Sequence, residues 1–136
     1  MSLTQVLPPA CITRVTEYIP EIIAFVQKLE HDGFAYALDG SVYFDTTAFQ
    51  QANHHYGKLQ PARHSGSAAS ADATAEGGHA GRRSPRDFAL WKAAADGRER
   101  WRLLASWPSP WGYGRPGWHI ECSVMARFVF ATVPAW

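Results

Sequence analysis

The chain has 136 residues, of which 46% are hydrophobic and 18% are charged, the size and composition of one globular domain. Thirteen Lys and Arg against twelve Asp and Glu leave a net charge of +1, so overall charge gives no argument for binding DNA or RNA. The longest uncharged run, Phe128 to Trp136, falls short of the ~20 residues that a membrane helix needs. Two distant cysteines, Cys11 and Cys122, match neither a disulfide framework nor a CxxC metal site and favour a reducing compartment. We expect a soluble intracellular protein.

The first predicted element is a helix that ends at Asp32-Gly33. Apolar residues recur at helical spacing before that point, and they are Ile19, Ile22, Ile23, Val26 and Leu29. Thr16 is expected to cap the start, because a threonine hydroxyl can accept a hydrogen bond from a free backbone N–H of the first turn. Pro20 then lies in that turn, where it is tolerated.

A β-hairpin is predicted next. Two short apolar segments, Phe34 to Leu38 and Ser41 to Asp45, flank Asp39-Gly40. This dipeptide readily adopts the positive φ angles of a tight turn, and strand alternation places Val42 and Phe44 on one face.

Residues 60–84 are predicted to form a disordered or mobile loop. Ala, Ser and Gly dominate this segment, which shows no periodicity that would bury an apolar face. Three arginines near its end, Arg82, Arg83 and Arg86, could contact phosphates, but a solvated loop end explains them more simply. A short strand with one buried face is expected to follow around Phe88 to Trp91.

The densest group of reactive side chains lies between Trp107 and Ser123. Prolines, glycines and tryptophans lead there into Trp118-His119-Ile120-Glu121-Cys122. No helix breaker follows until Pro134, so a helix is predicted to begin near His119, with His119 and Cys122 three residues apart on one face.

This stretch resembles the strand-to-helix segment of cysteine-tRNA ligases. Their pattern Gly-Arg-Pro-Gly-Trp-His-Ile-Glu-Cys-Ser matches Gly114 to Ser123 at ten consecutive positions. The resemblance continues upstream through Arg86 to Lys92, Tyr56 to Leu59 and Gly40 to Asp45, and it is closest to the eukaryotic cytosolic branch. It implies a cytoplasmic location.

The resemblance implies an α/β fold. Residues 1–126 would form part of a class I synthetase catalytic domain, a Rossmann-like nucleotide-binding fold with a connective-insertion helix and β-hairpin. Residues 127–136 depart from the family pattern and would be a divergent C-terminal tail.

The resemblance also implies a ligand or role for three residues. Cys122 matches a zinc ligand of the family, whose zinc binds the substrate thiolate; zinc prefers such a soft sulfur to the hydroxyl of serine. Trp118 would line the substrate-cysteine pocket, with a core tryptophan as the alternative. His119 would hydrogen-bond the substrate or orient a zinc ligand, with a simple cap of the helix start as the alternative. Cysteine, ATP and cysteine tRNA would be the substrates of the whole enzyme.

The family's remaining zinc ligands and both of its ATP-binding motifs do not occur in these residues. A zinc site needs three or four protein ligands and this chain supplies one, so we expect the isolated chain to be inactive. Two other hypotheses remain. One is a non-catalytic module that binds tRNA or a protein through the helix-hairpin unit and the arginines near Arg82. The other is a reactive thiol at Cys122, with His119 one helical turn away.

Overall fold

The computed structural model describes residues 7–56, 81–94 and 106–131. Within these ranges the chain forms one short 3₁₀ turn, three α-helices and four β-strands. In chain order they are the 3₁₀ turn Val15–Glu17, α1 Ile19–His31, β1 Ala35–Leu38, β2 Ser41–Phe44, α2 Thr46–Gln51, β3 Phe88–Ala93, β4 Gly114–Pro116 and α3 Trp118–Ala131. Among the residues described, no helix combines the length and apolar character that crossing a membrane requires.

The prediction of the first helix is confirmed, but that of its cap is wrong. α1 buries Ile19, Ile22 and Val26 and ends at His31, with Asp32 as its C-cap and Gly33 following at φ +81°. Thr16 does not cap it, because residues 15–17 form the separate 3₁₀ turn and Tyr18 takes the cap position without a side-chain hydrogen bond. A local sequence pattern cannot tell these two kinds of turn apart.

The hairpin is confirmed with its predicted turn. β1 and β2 pair antiparallel from Ala35 opposite Phe44 to Leu38 opposite Ser41. Asp39 and Gly40 both have positive φ angles, +49° and +75°, as a tight two-residue hairpin turn requires.

The four strands form one sheet in the order β1-β2-β3-β4, and the three described pairs are antiparallel. The α/β class is confirmed by this sheet and its helices. No parallel strand pair lies in the described ranges, so the parallel part of a nucleotide-binding fold is not represented there. β4 leads through Gly117 directly into α3, which confirms a helix near His119 and extends it into the predicted tail, to Ala131.

The main core lies between the sheet and the helices α1 and α3. Trp91 of β3 is fully buried there and is the largest buried side chain. The core also contains Ile19, Ile22, Val26, Ala35, Val42, Leu90, Ile120 and Val124. A second, smaller cluster, made of Tyr36, Tyr43 and Ala89, also involves β1, β2 and β3. β3 therefore belongs to both clusters and is the strand on which the fold is built.

Two glycines allow β4 and the start of α3 to approach β3 closely. A Cβ atom at Gly114 would lie 2.4 Å from the indole nitrogen of Trp91. At Gly117 it would lie 1.9 Å from the carbonyl oxygen of Ala89, while the Gly117 N–H donates to the carbonyl of Leu90. Any larger side chain at Gly117 would push the start of α3 away from the sheet.

The predicted mobile loop, residues 60–84, falls mostly outside the described residues. Its last four residues, 81–84, are ordered: the Arg83 N–H donates to the Tyr36 hydroxyl and the Ser84 N–H to the Asp87 carboxylate. Arg83 is exposed and Arg82 half-buried, in keeping with the predicted solvated loop end, but both also bond to their own chain. Arg82 donates to the Asp87 carbonyl, and Arg83 pairs with Asp45 at 3.0 Å.

We predict that Gly117→Ala destabilises the fold by about 3 kcal/mol, the upper end for overpacking, because its Cβ meets backbone atoms that cannot rotate away. Gly33→Ala is the matched control. Its Cβ would meet nothing within 4 Å, so only the strain of its positive φ remains, about 1 kcal/mol. Urea unfolding followed by circular dichroism measures both, and equal losses would contradict the close-approach argument.

Candidate functional site

The predicted site residues lie together in the first two turns of α3. Trp118, His119 and Cys122 are all exposed, whereas Ile120 and Val124 of the same helix are buried in the core. The helix therefore turns one face toward the sheet and presents the three predicted residues to solvent. The exposure of both His119 and Cys122 agrees with the expectation, from their spacing, that they share a face.

Trp118 is not a core tryptophan. Its side chain is 79% exposed, an unusual environment for so large an apolar group. Within the described residues Trp118 thus does not pack into the core, and its contact with substrate stays a prediction. An exposed indole beside an imidazole and a thiol can form an apolar wall for a small ligand.

His119 is held by an aromatic contact. Its imidazole lies 4.8 Å from the ring of Phe88, centroid to centroid, with the two planes inclined by 58°. Phe88 in turn stacks on Phe44 at 5.2 Å and 20°. The sequence pattern had placed Phe88 in a strand without indicating this contact, because the two residues are 31 positions apart and no local rule connects them.

Cys122 is a free, exposed thiol. This exposed position suits a soft ligand for zinc. The described residues contain no cluster of three or more His, Cys, Asp or Glu that could hold a metal ion. A zinc site at Cys122 would consequently need ligands from outside them. Glu121, which directly precedes Cys122, is half-buried, and burial raises the pKa of its carboxyl group.

The residue before Phe88 carries a fully buried carboxylate that sequence reasoning missed. Asp87 accepts four hydrogen bonds, at 2.9–3.0 Å. The donors are the Tyr36 hydroxyl, the N–H and hydroxyl of Thr46 and the Ser84 N–H. A buried charge is stable only when it is paired or fully hydrogen-bonded, and Asp87 meets that requirement through three separate segments.

Burial and charge shift the titration of two groups around Asp87. Desolvation, aided by the Asp87 carboxylate, raises the pKa of Tyr36 to about 12. At Asp45 burial also favours the neutral form, but the Ala48 N–H and the Arg83 guanidinium outweigh it and hold the pKa below its ordinary value. The Asp45 carboxylate caps α2 and pairs with Arg83. The Arg83 guanidinium also lies over the Tyr36 ring, 4.3 Å from the ring centroid.

The loop before β4 is attached to α1. The Trp111 indole N–H donates to a carboxylate oxygen of Glu30 at 2.7 Å, across 81 positions of sequence. Ser109 and Gly112 close the turn with reciprocal backbone hydrogen bonds, and Gly112 has φ +112°. This attachment fixes the approach of β4 and with it the start of α3.

A groove of about 430 Å³ lies elsewhere, between α1 and the C-terminal half of α3. It is lined by Pro20, Glu21, Ala24, Phe25, Lys28, Arg127 and Phe128. None of the predicted site residues borders it, so it is separate from the surface formed by Trp118, His119 and Cys122.

Comparison with known proteins gives one family. The family described as tRNA synthetases class I (C) catalytic domain matches residues 1–133. The chain is 50% identical to the cytoplasmic cysteine--tRNA ligase of Macaca fascicularis and 49% identical to that of Homo sapiens, each over 93% of this chain and 17% of the relative. The corresponding protein of Dictyostelium discoideum is 50% identical over 93% of this chain and 19% of its own length. The chain thus spans less than a fifth of the length of these curated relatives.

We predict that the free energy of unfolding falls as the pH rises from the ordinary tyrosine value of 10 to about 12, the raised pKa of Tyr36. A raised folded-state pKa means that the unfolded chain loses its proton first, so stability present below pH 10 is lost through this range. Urea unfolding at stepped pH measures the slope.

Tyr36→Phe should flatten that slope and also lower stability at neutral pH by about 1–3 kcal/mol, because Asp87 loses a donor while buried. Tyr113→Phe, at an exposed tyrosine, is the control. An unchanged alkaline slope in Tyr36→Phe would contradict the prediction.

Proposed function

The chain belongs to the family of class I (C) tRNA synthetase catalytic domains, and we propose that it is part of a cytoplasmic cysteine-tRNA ligase. Such an enzyme joins the carboxylate of cysteine to the α-phosphate of ATP, releasing pyrophosphate. It then transfers the cysteinyl group from this adenylate to the terminal adenosine of cysteine tRNA, releasing AMP. The observation that carries this proposal is the shared exposed face of Trp118, His119 and Cys122 on α3.

Cys122 is proposed as one zinc ligand of the complete site. A zinc ion bound there would take the substrate thiolate as a further ligand, and this bond distinguishes cysteine from serine by ligand softness. Discrimination by a metal bond can exceed the roughly 1–3 kcal/mol that pocket shape alone supplies. The contribution of this chain is a thiol fixed on a helix that packs against the sheet.

Trp118 and His119 are proposed to contact the substrate cysteine. The exposed indole would exclude water from one side of a small amino acid, and the imidazole offers a hydrogen bond to its polar atoms. Both side chains leave the helix within one turn of Cys122, so a single small substrate can reach all three.

The isolated chain is proposed to be inactive. In-line attack on the α-phosphate needs positioned phosphate-binding groups, and the two ATP-binding motifs of the family lie outside this sequence. A single zinc ligand also falls short of the three or four that such sites use.

The alternative of a non-catalytic tRNA-binding module has less support. Arg82 donates to the Asp87 carbonyl and Arg83 pairs with Asp45, so two of the three arginines behind that hypothesis bind their own chain. Retention of cysteine tRNA by the purified chain, weakening steeply with salt, would restore it.

A chimera tests the proposed function. The aligned part of this chain replaces the matched segment of the Homo sapiens cytoplasmic cysteine--tRNA ligase. We predict that the chimera retains cysteine-dependent exchange of ATP and pyrophosphate, whereas the isolated chain shows none above background. A folded chimera without exchange would contradict the proposed function, and exchange by the isolated chain would contradict its inactivity.

We predict that Cys122→Ser in the chimera lowers bound zinc and cysteine-dependent exchange by at least about 100-fold, because a zinc ligand and the metal bond to substrate are lost together. Zinc is measured by atomic absorption. Cys11→Ser is the matched control, since Cys11 is equally exposed and free but matches no ligand of the family. Full zinc content in Cys122→Ser would overturn the ligand assignment.

A further inference from the structure

We propose that Phe88 is a positioning residue for the substrate-binding His119. Its ring holds the imidazole in the orientation that binds substrate cysteine. The inference rests on the proposed function, because it assigns a supporting residue to the same surface. Phe88 itself does not touch the substrate; it acts through the side chain that does.

The contact between the two rings has a defined geometry. The centroids lie 4.8 Å apart and the planes are inclined by 58°, within the range in which aromatic pairs attract. His119 is exposed on the first turn of α3, where an imidazole without such a neighbour would occupy several rotamers. The flat ring of Phe88 restricts that choice from one side.

Phe88 also packs against a second aromatic ring. It stacks on Phe44 at 5.2 Å, and Phe44 packs on Phe49 at 5.3 Å. Phe49 then stacks on His54 at 4.7 Å. A row of aromatic rings thus extends from α2 across the sheet to α3, and a ring with a neighbour on each side cannot rotate freely.

Two independent anchors bring Phe88 and His119 together. On one side Asp87, directly before Phe88, is fixed by four hydrogen bonds to its buried carboxylate. On the other, Gly117 lies against the carbonyl of Ala89 and donates its N–H to Leu90, which fixes the backbone two residues before His119. The ring contact therefore follows from backbone positions that are set separately.

A spectroscopic test uses the full 136-residue chain labelled at histidine. The ring protons of His119 should show a ring-current displacement that Phe88→Leu abolishes and Phe88→Tyr keeps. Phe25→Leu is the matched control, because it removes a half-buried ring of α1 that lines the separate groove and lies outside this aromatic row. Unchanged His119 resonances in Phe88→Leu would overturn the proposal.

The functional test uses the chimera with the Homo sapiens relative. Phe88→Leu should raise the KM for cysteine roughly 3- to 10-fold, the range expected for one aromatic contact, with a much smaller change in the KM for ATP. Phe88→Tyr should restore the KM for cysteine, and Phe88→Met provides a second variant if Phe88→Leu does not fold.

The possible outcomes distinguish a failure of the proposed function from a failure of the positioning role of Phe88. An inactive parent chimera counts against the proposed function. An active parent in which Phe88→Leu and Phe88→Met both leave the KM for cysteine unchanged counts against positioning by Phe88. Equal rises in both KM values would also overturn it, since a general loss of structure predicts that result.

Discussion

The buried carboxylate of Asp87 is the interaction on which the rest of the structure depends. Burying a charged carboxylate is costly unless hydrogen-bond donors surround it. The donors to Asp87 come from β1, the start of α2 and the residues before β3. Losing one of these segments would remove one or two of the four donors from the buried charge. The three segments therefore hold one another, and β3 leaves this point in a fixed direction.

The direction of β3 determines the geometry of the candidate site. β3 contributes Trp91 to the core and its backbone to the contact with Gly117, so α3 is placed against the sheet with little freedom. Side chains carried on a regular element with a packed inner face are held more accurately than those on a loop. The exposed imidazole and thiol of α3 benefit from this because Ile120 and Val124 anchor the opposite face.

The sequence predicted the elements whose formation depends on residues close together in the chain. The apolar stripe of α1, the Asp39-Gly40 turn and a helix near His119 were found because their rules act over a few residues. Asp87 gave no such signal, since its partner Tyr36 is 51 positions away. The site residues Trp118, His119 and Cys122 came from resemblance: spacing placed His119 and Cys122 on one face, but it could not indicate that Trp118 would be exposed.

The close approach at Gly117 shows how a motif combines structural and chemical demands. In the run from Gly114 to Cys122 the two glycines serve packing, since a Cβ at either would meet β3 within 2.4 Å. Trp118, His119 and Cys122 are exposed and do not serve the core. Because glycine has no side chain, the backbone at the start of α3 can lie directly against the sheet. The helix can then carry large exposed side chains immediately after this contact. The motif therefore places Trp118, His119 and Cys122 one, two and five residues beyond a rigid contact, and such rigid placement limits the positions that their side chains can take.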